Sequence, residues 1–346
     1  MSQIVATAAE LQELAHEILR GLGTPEPAAR TVAQSLVGAN LVGHDSHGVV
    51  RLLEYASCVR AGDIVPTAEP VVRHAEGAVS AIDGRWCWGQ VGARFAAERA
   101  AESALEHGIG LATLEHCKHV GRIGEFAELL AERGLLSFVF CNSDACVAPF
   151  GGAERALGTN PLAAGIPGTG EHPFVLDFAT SAAAEGKLRV ARAEGATIPE
   201  GIVVDRDGRP STDPEAFYDG GALLPFGSHK GYGLSAFIEL VGGALSGNHP
   251  SLTSRYHTGN GLVVIAIRPG ALGTATYAAD IEDGAAALRA VSPTDPARPV
   301  LLPGDVENAA LRQRRAEGMP VSEKIWQELH ELRDELTSTT PEAALA

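Results

Sequence analysis

The spacing of apolar residues predicts helices at both ends of the chain. Leucine, isoleucine and alanine recur at helical intervals over residues 7–22, 26–41 and 47–61, and each of these segments ends close to a glycine. A last amphipathic helix is predicted over residues 322–336, followed by a frayed tail. Three consecutive helices indicate that the N-terminal part of the protein is helical.

The pattern changes from about residue 78 onward. Residues 78–83 alternate between apolar and polar, as a half-buried strand does, and residues 135–140 form a strongly apolar run between Gly134 and Asn142. The remaining predicted elements are strands at 109–115, 162–166, 174–178, 202–205 and 262–267, helices at 85–107, 124–133 and 234–245, and a linker or extended edge at 66–76. Because helices alternate with strands, the predicted class is α/β, or α+β with helices packed on a mixed sheet.

Composition narrows the functional classes. The chain of 346 residues is 45% hydrophobic and 20% charged, which is typical of a soluble globular protein. A formal net charge of −16, without a lysine or arginine cluster, disfavours a nucleic-acid partner. No apolar run approaches the roughly 20 residues that cross a membrane, and the first residues lack a signal-peptide pattern. Five irregularly spaced cysteines favour reduced thiols, so we expect a cytoplasmic protein.

The most informative polar segment surrounds His47. If a helix begins near His47, Asp45 or Ser46 can cap it. His47, Arg51 and Tyr55 would then project from one face at positions i, i+4 and i+8. A proton donor, a carboxylate-binding fork and a phenol on one stripe suit a small anionic substrate, and a helix N-terminus would lower the pKa of the histidine. The alternative is an amphipathic helix with exposed polar groups.

A second histidine cluster follows a predicted strand and precedes a predicted helix. His116 and His119 lie there, at a position that is common for active-site residues of α/β proteins. The spacing of His44 with His47, and of His116 with His119, also suits metal ligation. Since no carboxylate or cysteine partner stands at a fixed distance, we expect no metal.

Glycine-rich and polar segments predict contacts to an anionic ligand. Ser143, Thr159 and Asn160 lie in such segments and can bind ribose or carboxylate oxygens, unless these segments are simple surface loops. Asp177 ends a predicted strand, where an acidic residue suits a ribose diol. Lys230 opens a predicted helix, and a cation at that end indicates a bound anion.

The usual nucleotide fingerprints are missing. The closest approach to the dinucleotide-binding G-x-G-x-x-G pattern is Gly108-Ile109-Gly110, which precedes a strand and lacks the third glycine. Gly186-Lys187 lacks the upstream glycine of a P-loop. A Rossmann site is therefore not predicted.

Together these segments resemble the malate/L-lactate dehydrogenase family that is distinct from the Rossmann lactate and malate dehydrogenases. The resemblance extends from Ser46 to Asp305. Its most specific parts are Asp177 with Ala179-Thr180, Pro149-Phe150-Gly151-Gly152, Gly158-Thr159-Asn160-Pro161-Leu162, and His229-Lys230-Gly231-Tyr232-Gly233-Leu234.

The resemblance implies a fold and an assembly. The expected fold is a non-Rossmann, nicotinamide-binding mixed sheet with a helical domain built from both ends of the chain. The predicted division is a helical domain of residues 1–75 with 307–346, and a cofactor-binding domain of residues 76–306. A homodimer is expected, with the active site near the subunit interface.

The resemblance also implies residue roles. His119 corresponds to a general acid/base, and His47, with Ser46 beside it, to a histidine proposed as proton donor, so either histidine could serve. Arg51 corresponds to the residue that binds the substrate carboxylate, and Tyr55 and Asn160 are further expected substrate contacts. The expected cofactor contacts, from the loop chemistry and the resemblance together, are Ser143, Thr159, Asp177, Phe178, Ala179, Lys230, Gly304, Asp305 and Val306.

The expected activity is hydride transfer between a nicotinamide cofactor and a small 2-hydroxy or 2-oxo acid. The nearest branch is that of ureidoglycolate dehydrogenase, although Arg122 and Glu125 replace smaller or different side chains expected there. NAD is favoured over NADP because no basic pair stands ready for a 2′-phosphate. The alternatives are a reductase of cyclic imino acids, whose branch has an aspartate where this chain has Lys187, a histidine-metal lyase or hydrolase, and a non-catalytic metabolite-binding protein.

Overall fold

The protein has a mixed α/β fold in a computed structural model that describes residues 3–168 and 170–338. The predicted fold class is confirmed. Residues 339–346, which hold most of the predicted frayed tail, lie outside the described part. The elements are, in chain order, β1 (Gln3–Ala6), α1 (Ala8–Gly21), α2 (Glu26–Leu41), α3 (Arg51–Ala61), β2 (Val71–Glu76), β3 (Val79–Cys87), α4 (Gly89–His107), β4 (Ile109–Cys117), α5 (Gly124–Glu132), β5 (Leu136–Asn142), β6 (Leu162–Ile166), β7 (Phe174–Phe178), α6 (Glu185–Glu194), β8 (Val203–Val204), β9 (Pro210–Ser211), α7 (Glu215–Tyr218), β10 (Ala222–Leu223), α8 (His229–Ser246), β11 (Gly261–Ile267), α9 (Tyr277–Arg289), α10 (Asp305–Glu317), β12 (Met319–Ser322) and α11 (Glu323–Ser338).

A seven-stranded mixed sheet forms the centre of the molecule. Its strand order is β2-β3-β4-β11-β5-β6-β7, in which β3 and β4 pair in parallel and the other neighbours are antiparallel. Side chains alternate between the two faces, so that Val264 joins the core beneath α4 and α5 while Val263 joins the core beneath α8. The segment predicted as a linker or extended edge is the exposed edge strand β2, and β7 is the opposite edge.

The two ends of the chain meet in a separate core. β1 pairs antiparallel with β12, and apolar side chains of α1, α2, α3 and α11 pack into one cluster. Trp88, which precedes α4, is also buried in this cluster. The short pair of β1 and β12 was not predicted, and the domain division of the preceding section stays a prediction.

The helix expected to begin near His47 begins instead at Arg51. Residues Asp45–His47 form a single 3-10 turn, and Gly48 is extended, with φ −86° and ψ −155°. The side chain of the buried Asn40 accepts a hydrogen bond from the Val49 backbone N–H at 2.9 Å and so replaces a helical cap. Asp45 does not cap the helix, because it pairs with a guanidinium 2.6 Å away on α10.

Candidate active site

Side chains from three separate elements meet at His119, which follows β4. Tyr55, on α3, places its hydroxyl 2.8 Å from Nδ1 of His119. His47, in the 3-10 turn, places its ring centroid 5.3 Å from that of His119. His47, Arg51 and Tyr55 therefore do not form one helical stripe, yet the turn and the helix bring all three to the same site.

The first turn of α4 packs against Tyr55 and the backbone of His119. Gln90 donates from Nε2 to the Tyr55 hydroxyl at 2.7 Å, and both residues are buried. A side chain at Gly89 would lie only 2.2 Å from the carbonyl oxygen of His119, so glycine is needed for the helix to approach this closely. Tight packing of α4 on the backbone of His119 fixes Gln90 relative to the histidine ring.

Burial sets the protonation state of the two histidines. Loss of solvent lowers the pKa of His119 well below its ordinary value, and the nearby charges of Arg51 and His47 act in the same direction. Burial, followed by the charge of Arg51, lowers the pKa of His47 to about 3. The pKa of Tyr55 is raised by burial. At neutral pH the site therefore holds two neutral imidazoles and a protonated phenol, and burial, not the predicted helix N-terminus, is the main cause.

Arg51 is the nearest permanent positive charge. Its Nε donates to the carbonyl oxygen of Ser46 at 2.7 Å, and its Nη1 donates to Glu54 at 2.6 Å. The Ser46 hydroxyl lies 3.0 Å from Nδ1 of His47. A side chain at Gly186 would come within 2.8 Å of the Cβ of Ser46, so the start of α6 packs directly on this turn. Arg51 thus stands beside both histidines with a side chain that is only 20% exposed.

Asp177, near the end of β7, is only 13% exposed and contacts the start of α5. Its Oδ2 accepts the backbone N–H of Gly124 at 3.0 Å and lies 3.9 Å from Nη1 of Arg122. Burial raises the pKa of the carboxyl group, and the charge of Arg122 opposes that shift. The predicted contact of Asp177 with a ribose stays a prediction.

Arg122 and Glu125 stand where the resemblance predicts other side chains. Arg122 is buried and pairs with Glu128 at 3.1 Å, whereas Glu125 accepts a hydrogen bond from Ser35 at 2.5 Å. The charge of Arg122 also contributes to the lowered pKa of His47. These two residues enlarge the charged network behind the site.

The segment Gly304, Asp305 and Val306 lies at the start of α10, beside β7. The backbone N–H of Val175 donates to the Pro303 carbonyl at 3.2 Å, and the φ of Gly304 is +98° where it approaches that strand. Asp305 pairs with an arginine of α9 at 2.9 Å, while Val306 is exposed. These residues therefore border the same strand as Asp177.

A second group of predicted contacts surrounds Glu239 on α8. Asn160 is fully buried, has a φ of +38° and donates from Nδ2 to Glu239 at 2.9 Å. Glu239 also accepts the Gly158 backbone N–H at 3.2 Å. A side chain at Gly158 would clash with Ser143 Oγ at 2.3 Å and with Asn160 Oδ1 at 2.5 Å. Oδ1 of Asn160 is buried and accepts no hydrogen bond from the described residues.

Lys230 is the second residue of α8, as the sequence predicts. It is exposed, and the side chain of the preceding Ser228, whose φ is +57°, makes no capping hydrogen bond. Phe178 packs edge-on against Phe226 just before this helix, with ring centroids 5.5 Å apart. The first turn of α8 thus carries a lysine and has no side-chain cap.

The predicted residues consequently fall into two groups at the edge strand β7. Successive side chains of a strand point to opposite faces. The Asp177 carboxylate accordingly contacts the start of α5, whereas Phe178 packs against the segment before α8 and the half-buried Ala179 follows the strand. The backbone N–H of Thr180 donates to the carbonyl of Thr159 at 2.8 Å, which joins the strand end to the Asn160 segment.

Sequence reasoning missed Gln90 and Glu239. Each lies on the buried face of its helix, and the signal was available: Gln90 stands three and seven residues before the buried Ala93 and Ala97. Glu239 likewise follows the buried Ser235 by four residues. A polar residue on an otherwise small, buried stripe indicates a specific hydrogen-bond partner.

The four histidines considered for metal ligation have different partners. His44 contacts Glu307 at 3.3 Å, and His116 contacts Asp83 at 2.9 Å. Over residues 3–168 and 170–338, no three His, Cys, Asp or Glu side chains are grouped closely enough to hold a metal ion. In that same part of the chain, no helix combines the length and the apolar character required to span a membrane.

Comparison with known proteins identifies the family. The sequence profile described as malate/L-lactate dehydrogenase matches residues 6–330. The chain belongs to the malate/L-lactate dehydrogenase family. Members of this family are dehydrogenases, so the protein is in an oxidoreductase family whose reactions imply a nicotinamide cofactor.

Individual relatives span two kinds of substrate. Hydroxycarboxylate dehydrogenase B of Escherichia coli K12 is 36% identical over 329 residues, which cover 92% of this chain and 91% of the relative. A Δ1-pyrroline-2-carboxylate reductase of Ancylobacter novellus is 35% identical, with 94% of this chain and 96% of the relative covered. Among solved structures, sulfolactate dehydrogenase of Methanocaldococcus jannaschii is 30% identical, with a TM-score of 0.87 and coverage of 96% of this chain and 98% of the other.

Proposed function

We propose that the protein is an NAD(P)-dependent dehydrogenase of small 2-hydroxy acids, with His119 as the acid/base and Arg51 as the carboxylate-binding residue. One observation carries this proposal. His119 is neutral, its Nδ1 is held by Tyr55, and its ring stands beside an arginine and a second neutral histidine. Nε2 of His119 is then the nitrogen available to a substrate hydroxyl.

The chain's own residues account for proton handling. In the direction of oxidation, Arg51 binds the carboxylate and Nε2 of neutral His119 accepts the hydroxyl proton. The bound nicotinamide supplies the hydride chemistry. Burial disfavours the resulting imidazolium, but a substrate carboxylate on Arg51 offsets the charge that lowers the pKa of His119. His47, fixed by the Ser46 hydroxyl, orients the substrate oxygen.

The residues at β7 fit a nicotinamide dinucleotide. The uncapped first turn of α8, with Lys230, suits phosphate groups, and the unpaired Oδ1 of Asn160 suits an N–H or O–H donor of the ligand. Between Lys230 and Asn160, the dinucleotide would be lined by Ser143, Thr159, Phe178 and Ala179. Its opposite side would be contacted by Asp177 and the Gly304-Asp305-Val306 segment. We favour NAD, because Lys230 is the one basic residue among these proposed contacts and a 2′-phosphate would need a basic pair.

An exposed apolar face supports the proposed homodimer. Phe237, Leu240 and Leu245 of α8 are more than half exposed, and Phe138 of the sheet is 40% exposed beside them. Phe138, Phe237 and Leu245 border a cavity of about 320 Å³. Exposed apolar patches of this kind mark association surfaces. Light scattering after gel filtration tests this assignment, and a monomeric mass at micromolar concentration would reject it.

A plate assay tests the activity. Purified protein is mixed with a panel of 2-oxo acids, including 2-oxo dicarboxylates and a sulfonated 2-oxo acid, with either NADH or NADPH, and loss of the reduced cofactor is followed by absorbance. We expect saturable turnover with at least one acid and a preference for NADH. Absence of turnover with every acid, together with absence of cofactor binding by titration, would reject the proposal.

A reductase of cyclic imino acids is the second candidate. The pyrroline-carboxylate reductase relative supports it at nearly the same identity as the hydroxycarboxylate dehydrogenase. Lys187, the residue after Gly186 at the Ser46 turn, argues against it, because the resemblance places an aspartate there in that branch. Including cyclic imino acids in the same panel separates the two activities.

A further inference from the structure

Gln90 ends a buried chain of hydrogen bonds that reaches His119. Its Nε2 lies 2.7 Å from the Tyr55 oxygen, which lies 2.8 Å from Nδ1 of the histidine. Gln90 is 1% exposed and Tyr55 is 2% exposed. Oε1 of Gln90 is also buried and has no hydrogen-bond partner among the described residues. Water therefore does not compete for the hydrogen bond between Gln90 and Tyr55, and the protein sets which atom donates in it.

The hydrogen bonds that link Gln90, Tyr55 and His119 can run in either of two donor-to-acceptor directions, because the phenol carries one proton. When Gln90 donates to Tyr55, the Tyr55 O–H donates to Nδ1 of His119, and the neutral histidine must carry its proton on Nε2. When Nδ1 of His119 carries a proton, it donates to the Tyr55 oxygen, and the Tyr55 O–H needs another acceptor. In the first state Nε2 cannot accept a proton; in the second state it can.

Rotation of the Gln90 amide supplies that acceptor. A half-turn about the last side-chain bond exchanges Nε2 and Oε1 without moving other heavy atoms. Oε1 would then lie at hydrogen-bond distance from Tyr55, and Nε2 would occupy the place in which Oε1 now has no partner. Each orientation leaves one end of the amide unpaired, so the two differ little in hydrogen bonding.

We propose that Gln90 is a positioning residue whose amide orientation sets, through Tyr55, which nitrogen of His119 carries the proton. This inference rests on the proposed acid/base role of His119. The amide does not touch the substrate. Its effect on turnover comes from the availability of Nε2 of His119 as a base.

Other charged groups near Tyr55 and His119 cannot select the tautomer of His119 in this way. Arg51 and His47 face His119, and Arg51, Glu54 and Cys58 act on Tyr55. These groups change the free energy of the charged histidine. Only Tyr55 contacts Nδ1, and only Gln90 contacts the Tyr55 hydroxyl from the other side among the described residues.

Two substitutions at Gln90 should favour opposite tautomers of His119. Gln90→Met removes both donor and acceptor, so the Tyr55 O–H has only Nδ1 of His119 as its acceptor and the histidine is held with its proton on Nε2. Gln90→Glu places a carboxylate that can only accept when ionised, so Tyr55 donates to it and His119 is held with its proton on Nδ1. A merely structural role of Gln90 would not produce opposite tautomers.

The tautomer is read directly by nitrogen NMR of the full-length protein labelled at histidine, with the His119 signals assigned from His119→Asn. We expect the Nε2–H form in Gln90→Met and the Nδ1–H form in Gln90→Glu. In Gln90→Met, kcat for oxidation should fall about tenfold with little change in KM, since about one hydrogen bond is lost from the competent state. The exposed Gln34→Met is the matched control and should leave turnover unchanged.

The outcomes separate this inference from the proposed function. The same His119 tautomer in both Gln90 variants would overturn the positioning role, whatever their activity. If Gln90→Glu does not fold, Gln90→Met decides alone, and turnover equal to that of Gln34→Met would overturn it. Full turnover in His119→Asn would instead reject His119 as the acid/base.

Discussion

Arg51 donates a hydrogen bond from Nε to the carbonyl oxygen of Ser46 at 2.7 Å. This contact holds the 3-10 turn of His47 against the first residue of α3. The guanidinium is thereby fixed along one edge, while Nη1 is engaged by the half-exposed Glu54. A substrate carboxylate need only replace Glu54 to reach a pre-oriented arginine, so the cost of ordering the side chain is already met before binding.

Replacement of Arg51 by methionine should weaken substrate binding most. A charge-assisted hydrogen bond contributes roughly 1.5–3 kcal/mol, so we expect kcat/KM to fall by about ten- to a hundredfold, mainly through KM. Steady-state kinetics with the best acid of the panel measure this. Arg60→Met is the matched control, because Arg60 is an exposed arginine of the same helix that pairs with a distant glutamate. Equal KM values in the two variants would contradict the assignment.

His119→Asn should reduce turnover without loss of cofactor affinity. A positioned acid/base contributes about 10²–10⁴-fold, and the amide cannot exchange a proton with the substrate at neutral pH. Cofactor binding is followed by fluorescence titration, and kcat by absorbance. His47→Asn should retain more turnover than His119→Asn. The reverse order would assign the acid/base role to His47.

The lowered pKa values of the two histidines predict how stability depends on pH. The pKa of His47 is about 3 in the folded protein, against an ordinary value of 6.5. Below pH 6.5 the unfolded chain binds a proton that the folded chain does not, so this contribution to stability is complete above pH 6.5 and is lost as the pH falls. One such group changes the free energy of unfolding by at most about 1.4 kcal/mol per pH unit.

Urea unfolding at pH 6.5 and pH 5.5 tests this dependence. Wild type should lose more stability over that interval than His47→Asn, because the asparagine does not titrate. Taking the difference between the two proteins removes the contribution of the carboxyl groups, some of which have raised pKa values with the opposite sign. Identical losses would show that His47 is not held neutral by the fold.

The elements that could be predicted from the sequence are those in which apolar residues recur at regular spacing. In α1, Leu11, Leu14 and Ile18 recur at helical spacing, and the structure buries all three. Other elements gave no such signal. All six residues of β2 are exposed, and α10 buries only Asn308. The four-residue strand β1 pairs with β12, which lies more than 300 positions away in the sequence. Long-range pairing of short strands has no local periodicity to detect.

The candidate site was predictable as residue types but not as geometry. His119 and Tyr55 were both selected, yet their contact at 2.8 Å depends on the packing of α4 under the histidine. The start of α3 was misplaced, because Asn40 makes the hydrogen bond to Val49 that a local cap would have made. Side chains from distant parts of the chain that replace local caps cannot be recognised from helix propensity.

Lys230→Met should weaken binding of the dinucleotide. The lysine stands in the uncapped first turn of α8, where its charge adds to that of the helix N-terminus. We expect Kd to rise by about tenfold at low salt and the difference to shrink as salt screens the phosphates. Titration with NADH at two salt concentrations measures this. Lys324→Met, at an exposed lysine near the start of α11, is the matched control and should leave Kd unchanged at both.

Glu239→Gln should damage both the fold and the cofactor site. The buried carboxylate accepts hydrogen bonds from Asn160 at 2.9 Å, Asn142 at 3.2 Å and the backbone N–H groups of Gly158 and Ser251. All of these groups are donors. A glutamine must therefore turn its own N–H groups toward one pair of them, which leaves donors facing each other in a buried site at a cost of roughly 1–3 kcal/mol.

The same substitution weakens the hold on Asn160, whose Nδ2 keeps only its contacts with Ser235 and whose Oδ1 is the unpaired acceptor of the proposed cofactor site. Urea unfolding and NADH titration should therefore both respond in Glu239→Gln. Glu328→Gln, at a surface glutamate of α11, should change neither. A loss of stability with unchanged NADH affinity would assign Glu239 to the fold alone.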